Sequence, residues 1–221
     1  MMRGDGGSVM RGLAGSLLFL AILGVSGCGN EEAGQAEEPG AAQPSTEEFV
    51  AADRVCDGAF SRVARDLEGL TGAVEFVDRP ALGESLDIPA FIRALRESQG
   101  AEEQFCRVFT PTSGILPALE VFFGWEPPDD GTESTTEDGT ALRYDTGESA
   151  LSRNQSAVIT FPCTVEGRDG DLLKARLASP RGGEPDERIT VLNAASLAIA
   201  RGFGCLDESG LSTGPPQRLE P

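Results

Sequence analysis

The chain has 221 residues, with 36 Asp and Glu against 18 Lys and Arg, and its formal net charge is −18. Nucleic-acid binding is excluded, because phosphate contacts need clusters of Lys and Arg that this acidic chain lacks. The chain contains no histidine, which removes Ser-His-Asp and Cys-His catalysis, histidine metal sites and the usual proton shuttle of enzymes near neutral pH.

The N-terminus has the three parts of a secretory signal. Arg3 and Arg11 form a basic region, an apolar run follows from Leu13 to Val25, and Ser26 and Gly27 stand directly before Cys28. The 16 residues between Arg11 and Cys28 make about 24 Å of helix, which is short of the roughly 30 Å hydrocarbon core of a bilayer. The run therefore predicts an export signal at residues 1–27, not a membrane span.

The order Val25-Ser26-Gly27-Cys28 resembles the lipobox of bacterial lipoproteins, which is an aliphatic residue, two small residues and a cysteine. The resemblance implies that the Cys28 thiol receives a diacylglyceryl group and that the chain is cleaved after Gly27, which places the protein on the extracytoplasmic face of the cell membrane. Two acyl chains on one residue suffice for stable anchoring. The alternative is an ordinary secreted protein with a cysteine at its cleavage site.

The composition of the remaining chain predicts one domain between two loose segments. Residues 28–45 are acidic and lack large apolar side chains, so they are interpreted as a flexible tether. Residues 207–221 are interpreted as a flexible tail, and residues 46–206 have the size of one domain with its own core. Cleavage after Gly27 leaves 16 basic and 35 acidic residues, a net charge of about −19.

Four cysteines remain when Cys28 is lipidated, and an even number in an exported protein indicates two disulfides. Three pairings of Cys56, Cys106, Cys163 and Cys205 are possible, and their spacing alone does not choose among them. The predicted helices favour Cys56–Cys106 and Cys163–Cys205. A metal site built from all four thiolates is the competing interpretation, but no C-x2-C pair supports it.

Two helices are predicted in the first half of the domain. Ser45 and Glu48 form a capping box, and apolar residues at helical spacing follow from Phe49 until Gly72. The second helix is expected to begin at Asp87 and to continue to Phe109, before Pro111. Both Cys56 and Cys106 lie on the apolar faces of these helices, which is why they are paired.

The second half of the domain predicts a sheet and a final helix. Four segments are β-like: 118–125, 140–145, 156–163 and 172–179. A helix is expected from about Asp186 to Gly204. Helices followed by an antiparallel sheet of about four strands and then a helix make an α+β domain.

Three aromatic residues are weak candidates for a ligand-binding wall. Phe123 and Trp125 alternate along one predicted strand, and Tyr144, the only tyrosine, lies on the next. Core packing is the competing explanation for all three. The acidic stretch Pro127–Gly139 offers oxygen ligands for Ca²⁺ but departs from the EF-hand pattern at Gly131, so a solvated loop is the alternative.

These observations favour a non-catalytic, lipid-anchored envelope protein that binds another protein or supports an envelope complex. No cofactor, metal site or catalytic residue is assigned. Two alternatives stay open: a lipoprotein that binds a small ligand or a cation, and a hydrolase that uses a pair of carboxylates. In organisation the chain resembles actinobacterial surface lipoproteins of unassigned function, a likeness that carries location and no activity.

Overall fold

Apolar residues alternate along the strands of this chain and recur at helical spacing in three helices. In the computed structural model of the protein, the described residues are 49–78, 87–98, 100, 102–127, 141–168 and 170–220. They belong to one compact unit, Ser45–Pro221. The helices are α1 (Ala64–Thr71), α2 (Ile88–Glu97) and α3 (Pro185–Phe203). The strands are β1 (Val77–Asp78), β2 (Glu103–Phe109), β3 (Leu119–Glu126), β4 (Leu142–Arg143), β5 (Ser149–Ser152), β6 (Ser156–Pro162) and β7 (Leu172–Ala178).

The strands form one antiparallel sheet with the order β1-β2-β3-β7-β6-β5-β4. Alternate residues of β6 and β7 are buried, as a sheet covered on one face requires. Helix α3 lies against β5, β6 and β7, and α1 and α2 pack on α3. The α+β class is confirmed, but the sheet is wider than the predicted four strands because β1, β2 and β5 add to it.

The first predicted helix is much shorter in the structure. A short 3₁₀ helix at Ala52–Arg54 leads into turns, and α1 begins only at Ala64. Cys56, Asp57 and Gly58 all have positive φ angles, of 53°, 56° and 74°. Three successive left-handed residues cannot continue a right-handed helix. The end of the helix is as predicted, with Gly72 in the left-handed conformation as its C-cap.

The second predicted helix is half helix and half strand. Asp87 caps α2 by accepting a hydrogen bond from the Ala90 backbone N–H at 3.3 Å, but α2 ends at Glu97 and residues 103–109 form β2. A β-bulge between Gln104 and Cys106 shifts the register, so that Phe105 and Cys106 are both buried. The bulge breaks the alternation of the strand, and the resulting pattern of apolar residues imitates a helix.

The third helix is confirmed. Pro185 opens α3, Glu184 and Glu187 form a capping box around its first turn, and Gly204 ends it in the left-handed conformation. Within the described residues, no helix has the length and apolar character needed to cross a membrane.

The C-terminal segment is packed against the sheet, in contrast to the predicted flexible tail at 207–221. Its backbone bonds to the segment around β4: Gly147 N–H donates to the Gly210 carbonyl, Asp145 N–H to Gln217 and Leu219 N–H to Arg143, at 2.8 to 3.0 Å. Leu211 and Pro216 are buried. The local composition is rich in Gly, Pro and Ser and hides these long-range contacts.

Both predicted disulfides are present. Cys56 is bonded to Cys106, with 5.9 Å between their Cα atoms, and Cys163 to Cys205, with 5.1 Å. Cys106 lies on β2, not on a helix, so the first bridge joins the turns before α1 to the sheet. The second bridge joins the end of β6 to the residue after the C-cap of α3. The two bridges therefore fix opposite parts of the helical layer to the sheet.

A buried arginine ties the start of α3 to two connections of the sheet, the β5–β6 turn and the segment between β7 and α3. The Arg188 side chain is fully buried, and all the acceptors of its guanidinium among the described residues are neutral groups. The acceptors are Ser179 Oγ, Ser152 Oγ and the carbonyls of Arg153, Asn154 and Gly183, at 2.5 to 3.2 Å. Burial lowers the pKa of Arg188 below its ordinary value. Five neutral acceptors take the place of the water that a charged group loses on burial.

Candidate functional site

Phe123 and Trp125 lie in the core and do not line an open site. Phe123 is fully buried and makes edge contacts with Phe91 and Phe105, with ring centroids 6.0 and 5.7 Å apart. The Trp125 indole N–H donates to the Leu95 carbonyl at 2.8 Å. Core packing therefore explains both residues, and their alternation with the half-buried Phe122 is as predicted.

Tyr144 lies far from these two residues, because β7, β6 and β5 stand between β3 and the β4 edge. Its hydroxyl donates to Asp186 Oδ1 at 2.5 Å, and Arg218 Nη2 donates to the same oxygen at 2.9 Å. Tyr144 thus joins the start of α3 to the C-terminal segment. The three predicted ligand-wall residues do not form one wall.

The hydrogen bonds of Tyr144 shift two pKa values in opposite directions. Burial, and then the hydrogen bond to the Asp186 carboxylate, raise the pKa of Tyr144 from 10.0 to about 12. The Tyr144 hydroxyl and the Arg218 guanidinium lower the pKa of Asp186. The Tyr144 contribution to stability is present below pH 10 and is lost as the pH rises toward 12, while that of Asp186 is lost as the pH falls below its ordinary pKa.

Titration of the single tyrosine tests this network. We expect the phenolate absorbance near 295 nm to rise with a midpoint close to pH 12 in the folded protein and close to 10 in denaturant. Asp186→Asn removes the negative charge, so the midpoint should fall part of the way toward 10. A folded wild-type midpoint near 10 would contradict the Tyr144–Asp186 hydrogen bond.

A groove runs along one side of α3. Its floor is one helical stripe of α3, in which members recur every three or four residues over three turns. This α3 groove has a volume of about 450 Å³. The α3 residues that line it are Thr190, Asn193, Ala194, Leu197, Ala198, Arg201 and Gly202. Its walls are residues 57–66 with gaps, Ile88 at the start of α2, and the C-terminal residues Thr213, Gly214 and Pro215.

The rim of the α3 groove carries both signs of charge. Arg62 and Arg201 contribute cations, and Asp57 and Asp66 contribute carboxylates. Among the described residues, neither arginine forms an ion pair. Asp57 accepts a hydrogen bond from the Ile88 backbone N–H at 3.3 Å. A floor of mostly small side chains, lined by separated charges of both signs, suits an elongated molecule or chain segment that carries its own charged groups.

Polar contacts at one end of the α3 groove hold the C-terminal wall in place. Thr146 Oγ1 donates to Asn193 Oδ1 at 2.6 Å, and Asn193 Nδ2 donates to the Ser212 carbonyl at 2.7 Å. Ser212 N–H returns to Thr146 Oγ1 at 3.0 Å. The wall at 213–215 is therefore fixed by a closed ring of three hydrogen bonds, one buried and two partly buried. Asn193 uses its side chain in this ring, so its role at the groove is structural.

A G-x-S-x-G pattern, which marks the nucleophilic serine of many hydrolases, occurs at Gly210–Gly214. It does not have the strand–turn–helix context of a nucleophile elbow, because residues 210–214 lie in neither a strand nor a helix. The Ser212 hydroxyl donates to the Asp145 carbonyl at 3.0 Å, and the chain holds no histidine to act as its base. The pattern is part of the groove wall.

The loop between β2 and β3 exposes two large apolar side chains. Ile115 is 93% exposed and Leu116 is 64% exposed, and we call this pair the apolar tip. Adjacent large apolar residues between Gly114 and Pro117 are a signal visible in the sequence, whereas the α3 groove gives no such local signal. The residues that line the α3 groove come from four separate segments of the chain.

Several predicted features lie outside the described residues: the export signal at 1–27, the lipidation site Cys28, the tether at 28–45, the capping box of Ser45 and Glu48, and the acidic stretch from Pro128 to Gly139. Within the part of the chain that is described, no three His, Cys, Asp or Glu side chains come together as metal ligands. Comparisons of the chain with protein-family models, curated proteins and solved structures give no match.

Proposed function

We propose that this protein is anchored by lipid on Cys28 to the extracytoplasmic face of the cell membrane, where it binds a partner protein of the envelope without catalysing a reaction. The lipobox-like order of residues 25–28 supports the anchor. Two disulfides suit an oxidising compartment outside the cytoplasm. The absence of histidine supports a binding role.

The α3 groove is the proposed binding site, and the observation that carries the proposal is that the half of its floor from Leu197 to Gly202 reaches the surface. The floor extends from Thr190 to Gly202, which is about 18 Å of helix at 1.5 Å per residue. An extended segment of about five residues spans that distance. Arg62 and Arg201 would pair with acidic groups of the partner segment, and Asp57 and Asp66 with basic ones.

Photo-crosslinking in living cells tests the α3 groove. With p-benzoylphenylalanine in place of Leu197 on the floor, we expect one discrete protein adduct after illumination. The matched control places the same residue at Val158, which is also half-buried but lies on β6 in the sheet, and should give no such adduct. Ala198→Trp fills the groove and should remove the Leu197 adduct. Equal adducts from both positions, or an adduct that persists in the Ala198→Trp variant, would contradict the proposed site.

The intact mass of the protein from the same membranes tests the anchor. We expect a chain that begins at Cys28, carries a diacylglyceryl group and lacks four hydrogens for two disulfides. An unmodified Cys28 would overturn the anchoring proposal while leaving the groove proposal to the crosslinking result.

A small-ligand protein is the second candidate, because the groove volume of about 450 Å³ falls in the range of sites for small molecules. A retained non-protein mass in the native protein, together with no crosslinked protein at Leu197, would favour it. A carboxylate-based hydrolase would need a carboxylic acid with a raised pKa. The pKa of Asp186 is shifted the other way.

A further inference from the structure

The apolar tip is held in a fixed loop. Thr110 N–H donates to Ser113 Oγ at 2.9 Å, and Ser113 Oγ donates back to the Thr110 carbonyl at 2.9 Å. Both residues are buried. Arg181 Nη2, from the connection between β7 and α3, donates to the Thr112 carbonyl at 3.0 Å. The loop therefore presents Ile115 and Leu116 to the outside on an ordered base.

The chain enters the domain at the same end of the sheet. Val50 pairs with Phe76 through backbone hydrogen bonds of 2.7 and 2.9 Å. The next residue, Val77, pairs with Phe109, the last residue of β2. The loop that carries the apolar tip follows directly. Two further apolar side chains are exposed near this end, Phe49 at 45% and Val74 at 68%.

The predicted tether has a mean reach shorter than the width of the domain, which favours one end of the domain facing the bilayer. Twenty residues separate Cys28 from Phe49, and a coil of that length has a mean reach of about 25 Å. A compact unit of the size of Ser45–Pro221 has a diameter of about 40 Å. The end at which the chain enters is therefore the end that faces the lipid most of the time.

The loop is also free of the charge that the rest of the chain carries. Residues 110–119 contain no Asp or Glu, in a chain with a net charge of −18. The cationic Arg181 is hydrogen-bonded to this loop. An uncharged apolar loop beside an arginine suits the interface of a bilayer. Anionic headgroups would repel the acidic remainder of the domain but not this loop.

We propose that the apolar tip inserts Ile115 and Leu116 into the headgroup and upper acyl region of the bilayer that holds the anchor, and so sets the orientation of the domain on the membrane. This proposal rests on the proposed lipid anchor. Insertion would fix which side of the domain, and hence which approach to the α3 groove, is open to a partner.

Depth-dependent quenching tests the insertion. The protein used is the chain of residues 28–221, which contains all the residues described in the structure. An N-terminal hexahistidine tag attaches this chain to nickel-chelating lipid in phosphatidylcholine vesicles. Ile115→Trp places a reporter at the tip. We expect lipids brominated at shallow acyl positions to lower its emission about twofold. The wild-type chain provides the baseline, because its single Trp125 is only 4% exposed.

Leu219→Trp is the matched control, since Leu219 is exposed at 47% but lies beside β4 at the other edge of the sheet. It should show no quenching, and Leu116→Asp should abolish quenching in the Ile115→Trp chain. Equal quenching of the two reporters, or none at the tip, would overturn the proposal. Since the tag replaces the acyl chains, such a result leaves the Cys28 anchor to be judged by the intact mass. An unquenched tip that forms a protein adduct through p-benzoylphenylalanine at Ile115 would assign the tip to a protein partner instead.

Discussion

Replacement of Arg188 by methionine is expected to lower the free energy of unfolding by about 4 kcal/mol, the largest effect of a single substitution in this domain. Methionine has a similar length but no donor, so it would leave five acceptors without their partner, of which the Ser152 and Ser179 hydroxyls are buried. These acceptors belong to the β5–β6 turn and to the segment before α3. The change therefore loosens both connections at once.

Urea unfolding followed by far-UV circular dichroism measures this loss. Arg188→Lys keeps the charge but offers three donors in a tetrahedral arrangement, so we expect about half the loss of Arg188→Met. Arg93→Met on the exposed side of α2 serves as the control and should leave the unfolding midpoint nearly unchanged. A loss below about 1 kcal/mol for Arg188→Met would show that water can replace the guanidinium at all five acceptors.

Removal of the second disulfide, by Cys163→Ala with Cys205→Ala, is expected to cost about 4 kcal/mol. The bridge closes a segment of 42 residues, and the chain-entropy treatment gives that value for a loop of this length. Cys163 follows β6, and Cys205 follows the C-cap of α3. The bridge thus joins the central sheet to the far end of the longest helix.

The same urea titration, performed on the double variant and on the wild type with and without reductant, checks the value. In oxidising buffer, each variant that lacks one bridge should be less stable than the wild type, both the Cys163→Ala, Cys205→Ala variant and a Cys56→Ala, Cys106→Ala variant. Reductant opens both bridges, so it should lower the unfolding midpoint of the wild type below that of either variant. If reductant leaves the wild-type midpoint unchanged, the two bridges contribute nothing to stability and this prediction is wrong.

Much of this fold can be predicted from local pattern. Helix α3 combines a proline at its start, a capping box and a glycine at its end, and each of these acts through nearest neighbours in the chain. Buried and half-buried residues alternate without interruption along strands β6 and β7. A sheet that is covered on one face requires this pattern. In these places the local signals agree with the tertiary structure.

The errors arise where a distant contact determines the local conformation. Phe105 is the extra residue of a bulge, and the bulge becomes visible only when β2 is paired with β3. Cys56 and Asp57 adopt positive φ angles beside a bond to Cys106, fifty residues away. The pairing of the cysteines could be predicted although the element assigned to Cys106 was wrong, because burial on an apolar face is common to both assignments.

The candidate site was the least predictable part. Aromatic residues were predicted to form a ligand wall, but Phe123 and Trp125 are core residues. The floor of the α3 groove includes small side chains such as Ala194 and Ala198. Small residues on a helix give no sequence signal of a site, since they are equally suited to close packing. The groove exists because the C-terminal segment passes beside α3, and that path depends on hydrogen bonds across 66 residues, from Ser212 to Thr146.

The covering of both sheet edges limits how this domain can meet other chains. At one edge Val50 bonds to Phe76, and at the other Tyr144 bridges to Arg218 while Leu219 bonds to Arg143. An exposed edge strand is the usual template for β-augmentation by a foreign strand and for runaway polymerisation into fibres. These two short coverings protect the sheet from such pairing. Recognition is thereby left to side chains.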